Sequence, residues 1–100
     1  MEKRKPSYSL DEIKAAFSSA NRIRITATGY RNAIQLGLRR SDIAAVIQAL
    51  EPADFYKSMT SHADHKIWQD VYHGKFKRVD LYIKFTTDSE GLFIISFKEK

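Results

Sequence analysis

The sequence predicts an α+β domain: three N-terminal helices with a short strand, packed on one face of a C-terminal antiparallel sheet. Three observations predict it. Apolar residues recur at helical spacing from Leu10 to Ala20 and from Ile43 to Leu50; they alternate strictly from Arg78 to Thr86; and no linker, repeat or low-complexity tract separates the two halves. A chain of 100 residues is the length of one domain, so residues 1–100 are expected to share one core.

Ser9-Leu10-Asp11-Glu12 reads as a capping box, in which hydroxyl and carboxylate satisfy free N–H groups at a helix start. A helix of about three turns is expected after it, with Leu10, Ile13, Phe17 and Ala20 on its buried stripe and Asn21 as a left-handed stop. Arg22 to Thr26 alternates and reads as a short strand. Thr28 is the expected cap of a second helix that runs to about Leu36, where Gly37 supplies the left-handed end. Ser41-Asp42 opens a third, with Ile43, Val46, Ile47 and Leu50 inward, and Pro52 forbids its continuation.

The second half is read as strands Phe55 to Thr60, Ile67 to Tyr72, Arg78 to Thr86 and Leu92 to Lys98, with Ser61 to His65 as a polar loop and Gly74 as a turn. Val79, Leu81, Ile83 and Phe85 face the core, and Asp80, Tyr82, Lys84 and Thr86 face away. Ser89-Glu90-Gly91 suits a three-residue hairpin loop with glycine left-handed. Counting outward from Asp88 opposite Leu92 pairs Thr86 with Ile94, Lys84 with Ser96 and Tyr82 with Lys98. One sheet face then carries a phenol and two ammonium groups side by side.

Composition narrows the function. Seventeen Lys and Arg against twelve Asp and Glu give +5, a balance that favours polyanionic partners, and residues 51–100 hold nine of the twelve aromatics among eight basic side chains. The absence of cysteine excludes disulfides and thiolate chemistry. Every hydrophobic run is interrupted by a polar residue well short of the ~18 apolar residues that cross a bilayer, and Met1 to Pro6 is not a secretory signal, so a cytoplasmic location without membrane is expected. Glycine-rich phosphate loops, a G-x-S-x-G elbow and paired carboxylates are all missing. His62, His65 and His73 lack the spacing of a metal site and read as exposed loop residues, so neither metal nor other cofactor is expected. Arg39-Arg40 and the Lys3-Arg4-Lys5 tail read as solvated charge.

Lys57 shares strand parity with Phe55 and Met59, and Gln69 shares it with Ile67 and Val71, so two polar side chains sit on otherwise apolar faces. Each could simply be satisfied at an edge. Alternatively, they converge with Tyr82 and Lys98 on an anion. Cleaving RNA through its own 2′-hydroxyl needs a proton acceptor, charge stabilisation of the phosphorane and support for the leaving oxygen, which clustered lysine and tyrosine side chains supply without metal. The same basic face would also serve a non-catalytic RNA- or DNA-binding module, and a strand edge would accept an acidic protein by β-augmentation.

The runs Asp54-Phe55-Tyr56-Lys57-Ser58-Met59-Thr60, Asp64-His65, Ile67-Trp68-Gln69-Asp70-Val71-Tyr72 and Ser96-Phe97-Lys98-Glu99-Lys100, with the opening Met1-Glu2-Lys3-Arg4, resemble the MqsR family, mRNA-cleaving toxins of MqsR/MqsA toxin–antitoxin systems. The resemblance spans the chain and is densest in its second half. It implies a RelE/YoeB-like fold, metal-independent endoribonuclease activity on mRNA that inhibits translation, and neutralisation by an MqsA-like antitoxin, the complex binding operator DNA through that antitoxin. The family's catalytic lysine, glutamine, strand tyrosine and near-terminal lysine fall on Lys57, Gln69, Tyr82 and Lys98. Tyr56, Met59, Arg78 and Lys84 are the further candidate RNA contacts.

Overall fold

The computed structural model describes residues 1–61 and 66–100. In chain order it has strand β1 (Glu2–Lys3), helices α1 (Leu10–Ala16), α2 (Ala27–Leu36) and α3 (Arg40–Gln48), then strands β2 (Phe55–Thr60), β3 (Trp68–Phe76), β4 (Val79–Thr87) and β5 (Phe93–Glu99). The five strands lie in sequence order, and every neighbouring pair is antiparallel. Apart from β1, which the sequence does not predict, helices precede the antiparallel sheet as the hydrophobic periods predict.

The Ser9 hydroxyl accepts the Glu12 N–H and starts α1, but the helix lasts seven residues and breaks at Phe17 instead of running three turns. Phe17 is buried beside Phe85, and the Gln48 amide donates to the carbonyls of Lys14 and Phe17, closing the helix end from outside. Asn21 is not left-handed; it lies in a 3₁₀ turn, Ala20–Arg22. The strand expected at Arg22 to Thr26 shrinks to one parallel bridge, Ile25 with Ile95. It cannot extend, because the Thr26 hydroxyl, rather than Thr28, caps α2 by accepting the Gly29 N–H. Gly37 ends α2 at φ 75°, as its position predicts. In α3 the Asp42 carboxylate accepts the Arg39 N–H, which moves the helix start to Arg40.

Gly74 is not a turn. It lies inside β3 opposite Leu81, and the turn falls at Lys77-Arg78 with Lys77 at φ 54°. A Cβ at Gly74 would overlap the Ile83 side chain and touch Val46 of α3, so glycine permits the close approach of helix and sheet. The basic N-terminal tail is also not simply solvated: Glu2 and Lys3 pair with Met59 and Ser58, and Lys3 Nζ sits 4.2 Å from the Trp68 ring centroid. The expected loop from Ser61 lies, from residue 62 to 65, outside the described residues, and His62 and His65 with it.

The core lies on one side of the sheet. Ile13 and Phe17 of the α1 region and Ile43 and Ile47 of α3 are buried against Leu81, Ile83 and Phe85 of β4, and Ile95 and Phe97 of β5. This is the predicted apolar stripe of β4, and alternation therefore sends Tyr82 and Lys84 to the opposite face. The outer edge of β5 is largely occupied: Ile95 exchanges backbone bonds with Arg24 and Thr26, and the Asn32 amide donates to the Phe97 carbonyl.

Candidate active site

The hairpin chemistry sets the first half of the site. Gly91 adopts φ 79°, the Asp88 N–H donates to the Leu92 carbonyl, and the Asp88 carboxylate accepts the N–H groups of Glu90 and Leu92. The three-residue loop fixes the register, pairing Tyr82 with Lys98, Lys84 with Ser96 and Thr86 with Ile94, all as counted from sequence. A phenol and an ammonium side chain thus become neighbours across β4 and β5 because of a turn six residues away.

A bulge sets the second half. Phe55 pairs with Tyr72 but Lys57 pairs with Val71, so Tyr56 is one residue extra on β2. The parity count from sequence therefore fails here: Phe55 packs edge-to-face on Tyr72 in the core, while Lys57 and Met59 face the other way. Lys57, Val71, Lys84 and Ser96 then form one row across four strands, and His73, Tyr82 and Lys98 form the next.

These rows enclose a pocket of about 300 Å³ with Met59 and Val71 at its apolar base and Tyr56, Lys57, Tyr82, Lys84 and Lys98 around it. Lys98 Nζ is 5.9 Å from the Tyr82 ring centroid, and Lys57 Nζ is 5.3 Å from that of Tyr56. Gln69, opposite Met59, lines an adjoining pocket of about 510 Å³ that shares Met59 and Lys84 and has Glu2 on its wall. The structure thus brings Lys57, Tyr82 and Lys98 into one pocket and places Gln69 in the next. Arg78 lies exposed in the β3–β4 turn and lines neither pocket.

Sequence reasoning missed two participants. His73 is not a loop residue: its ring stacks on Tyr56 at 4.7 Å and lies 5.3 Å from Tyr82, forming a three-ring cluster at the pocket's end. Strand parity with Gln69 and Val71 was the available signal. Burial, then the charge of Lys100, lowers its pKa from 6.5, and its Nε2 is buried without a hydrogen-bond partner among the described residues. The second is Glu2, whose carboxylate lies 2.5 Å from Lys57 Nζ. Its hydrogen bond to Lys57 raises the lysine pKa and lowers that of Glu2. Lys84 behaves in the opposite way, its pKa lowered by burial and then by the charges of Lys98 and Lys57. Three ammonium groups around one cavity, with a phenol beside them, have the chemistry to hold a phosphate and to stabilise charge that develops on it.

Comparison with known proteins identifies the family of the chain. Residues 5–99 match the family model described as "Motility quorum-sensing regulator, toxin of MqsA". Over 100 residues, the whole of both chains, the sequence is 43% identical to the "mRNA interferase toxin MqsR" of Escherichia coli (strain K12). A match that covers nearly every element, including all the strands that carry the pocket, places the chain in the MqsR toxin family.

Proposed function

We propose that the pocket cleaves mRNA by internal attack of a ribose 2′-oxygen on the adjacent phosphorus, without a metal ion. The chain is a toxin and an mRNA interferase, an endoribonuclease. In the proposed step the O2′–P bond forms and the P–O5′ bond breaks, leaving a 2′,3′-cyclic phosphate and a 5′-hydroxyl. The 2′-hydroxyl proton goes to a base and the leaving 5′-oxygen gains one. Lys57 and Lys98 provide charge at the phosphate and take part in proton transfer, Tyr82 hydrogen-bonds or transfers a proton, and Gln69 orients the strand from the adjoining pocket.

The observation that carries this reading is the convergence of Lys57, Lys84 and Lys98 with Tyr82 on one cavity. Lysine ammonium groups do at this face the electrostatic work that a cation does elsewhere. Translation stops as transcripts are cut, an MqsA-like antitoxin neutralises the enzyme in the cytoplasm, and the complex reaches operator DNA through the antitoxin. Incubating the protein with a synthetic transcript in excess EDTA should yield fragments ending in cyclic phosphate. Intact RNA after long incubation, with salt-sensitive binding retained, would instead make the chain a binding module.

Tyr56 is expected to hold a base. It is 37% exposed, and its ring, stacked on His73, lines the pocket where a base would enter. Tyr56→Ala should raise KM for RNA by roughly 5- to 100-fold, the range that base stacking on an aromatic is worth, while Tyr56→Phe stays near wild type. Equal KM in Tyr56→Ala would remove the residue from the substrate path.

A further inference from the structure

Glu2 is an anion placed beside a site built for an anion. Its carboxylate meets Lys57 Nζ at 2.5 Å, and the pairing of β1 with β2 brings its backbone to that edge of the sheet. Strand β1 sets Glu2 opposite Met59, the Met1 carbonyl accepts the Thr60 N–H, and Arg4 reaches the Tyr56 carbonyl on the other side. Lys57 is the one lysine of the pocket tied to a carboxylate among the described residues; Lys84 and Lys98 face each other's charge instead.

We propose that Glu2 is a positioning residue for cleavage: its carboxylate holds Lys57 as a fixed cation at the phosphate, so Lys57 acts by charge and not as the proton acceptor. This rests on the placement of Lys57 in the catalytic pocket. The groups that face Lys57 are Glu2 of β1, Arg4 just beyond it, Tyr56 of β2, Tyr82 and Lys84 of β4, and Lys98 of β5. Of these, Glu2 is the carboxylate, and the surrounding cations would otherwise ease the loss of the Lys57 proton.

Three consequences separate this role from a structural one. In Glu2→Gln, kcat falls by roughly 10- to 100-fold because the lysine is no longer oriented. KM for RNA falls, by about twofold or more, because the site has lost a negative charge that opposes the substrate. The alkaline limb of the pH–rate profile moves to lower pH, since a cation required for the reaction now loses its proton more readily. Glu2→Asp should recover part of kcat. Thermal unfolding of each variant should match the parent, because the Glu2 side chain is 57% exposed.

The test is steady-state cleavage of a fluorogenic oligoribonucleotide across pH, with Lys57→Ala run beside Glu2→Gln. Lower kcat with lower KM and a displaced alkaline limb supports the proposal. An unchanged or increased kcat in Glu2→Gln overturns it, as does a lower kcat with an unmoved limb. If Lys57→Ala is itself fully active, the pocket assignment fails; if Lys57→Ala is inactive while Glu2→Gln is normal, only the role of Glu2 fails.

Discussion

Lys57→Ala is expected to reduce kcat/KM for RNA cleavage by roughly 10²- to 10⁴-fold, the usual contribution of a group that acts on charge or protons in the transition state. The lysine stands in the row with Lys84 and lines the pocket beside Tyr82 and Lys98, so its removal takes away one of the three cations that surround the proposed phosphate position. Its side chain packs on the pocket rim and not in the core, and the thermal midpoint should therefore stay within a few degrees of the parent. Tyr82→Phe makes the companion test. It preserves the ring that packs with His73 and Tyr56 and deletes only the hydroxyl. Loss of cleavage there, measured on end-labelled RNA, assigns the effect to the phenolic oxygen. Full activity and full growth arrest in both variants would refute the site.

The largest loss of stability is expected at Asp70, on the other face of β3. Its carboxylate is fully buried and accepts the Ser7 N–H at both oxygens and the Tyr8 N–H at one, while Ser7 and Ser58 share a hydroxyl bond alongside. Asp70→Ala removes the acceptors and leaves those N–H groups without partners, at a cost of about 3 kcal/mol or more. A domain of this size loses roughly 4–8 °C of thermal midpoint per kcal/mol, so a fall of at least about 12 °C is expected by circular dichroism. Asp70→Asn retains one acceptor and should lose less. The same bonds anchor the segment that leads out of β1, and Asp70→Ala should therefore also free Glu2 and impair cleavage at temperatures where the sheet is still folded. An unchanged midpoint would mean that Ser7 and Tyr8 find other acceptors.

The reach of the sequence followed the range of the interactions. Elements closed by their own neighbours are legible: Gly37 ends α2, Asp88 to Gly91 forms the predicted loop, and the alternation of β4 names its buried residues. From that loop alone the Tyr82–Lys98 pair could be counted, because an antiparallel register propagates rigidly from its turn. Gly74 misled because glycine signals either a turn or a close approach, and only the position of α3 distinguishes them. Thr26 and Thr28 cap equally well in isolation; the bridge of Ile25 to β5 selects Thr26.

The residue types, their charge and the hairpin that joins Tyr82 to Lys98 were thus determined by sequence, since each depends on short-range geometry or on composition. The bulge at Tyr56, the docking of β1 that sets Glu2 on Lys57, and the stacking of His73 were decided by tertiary structure. Each requires segments distant along the chain to meet, and no local propensity specifies which of several strand faces, edges or partners they find when they do.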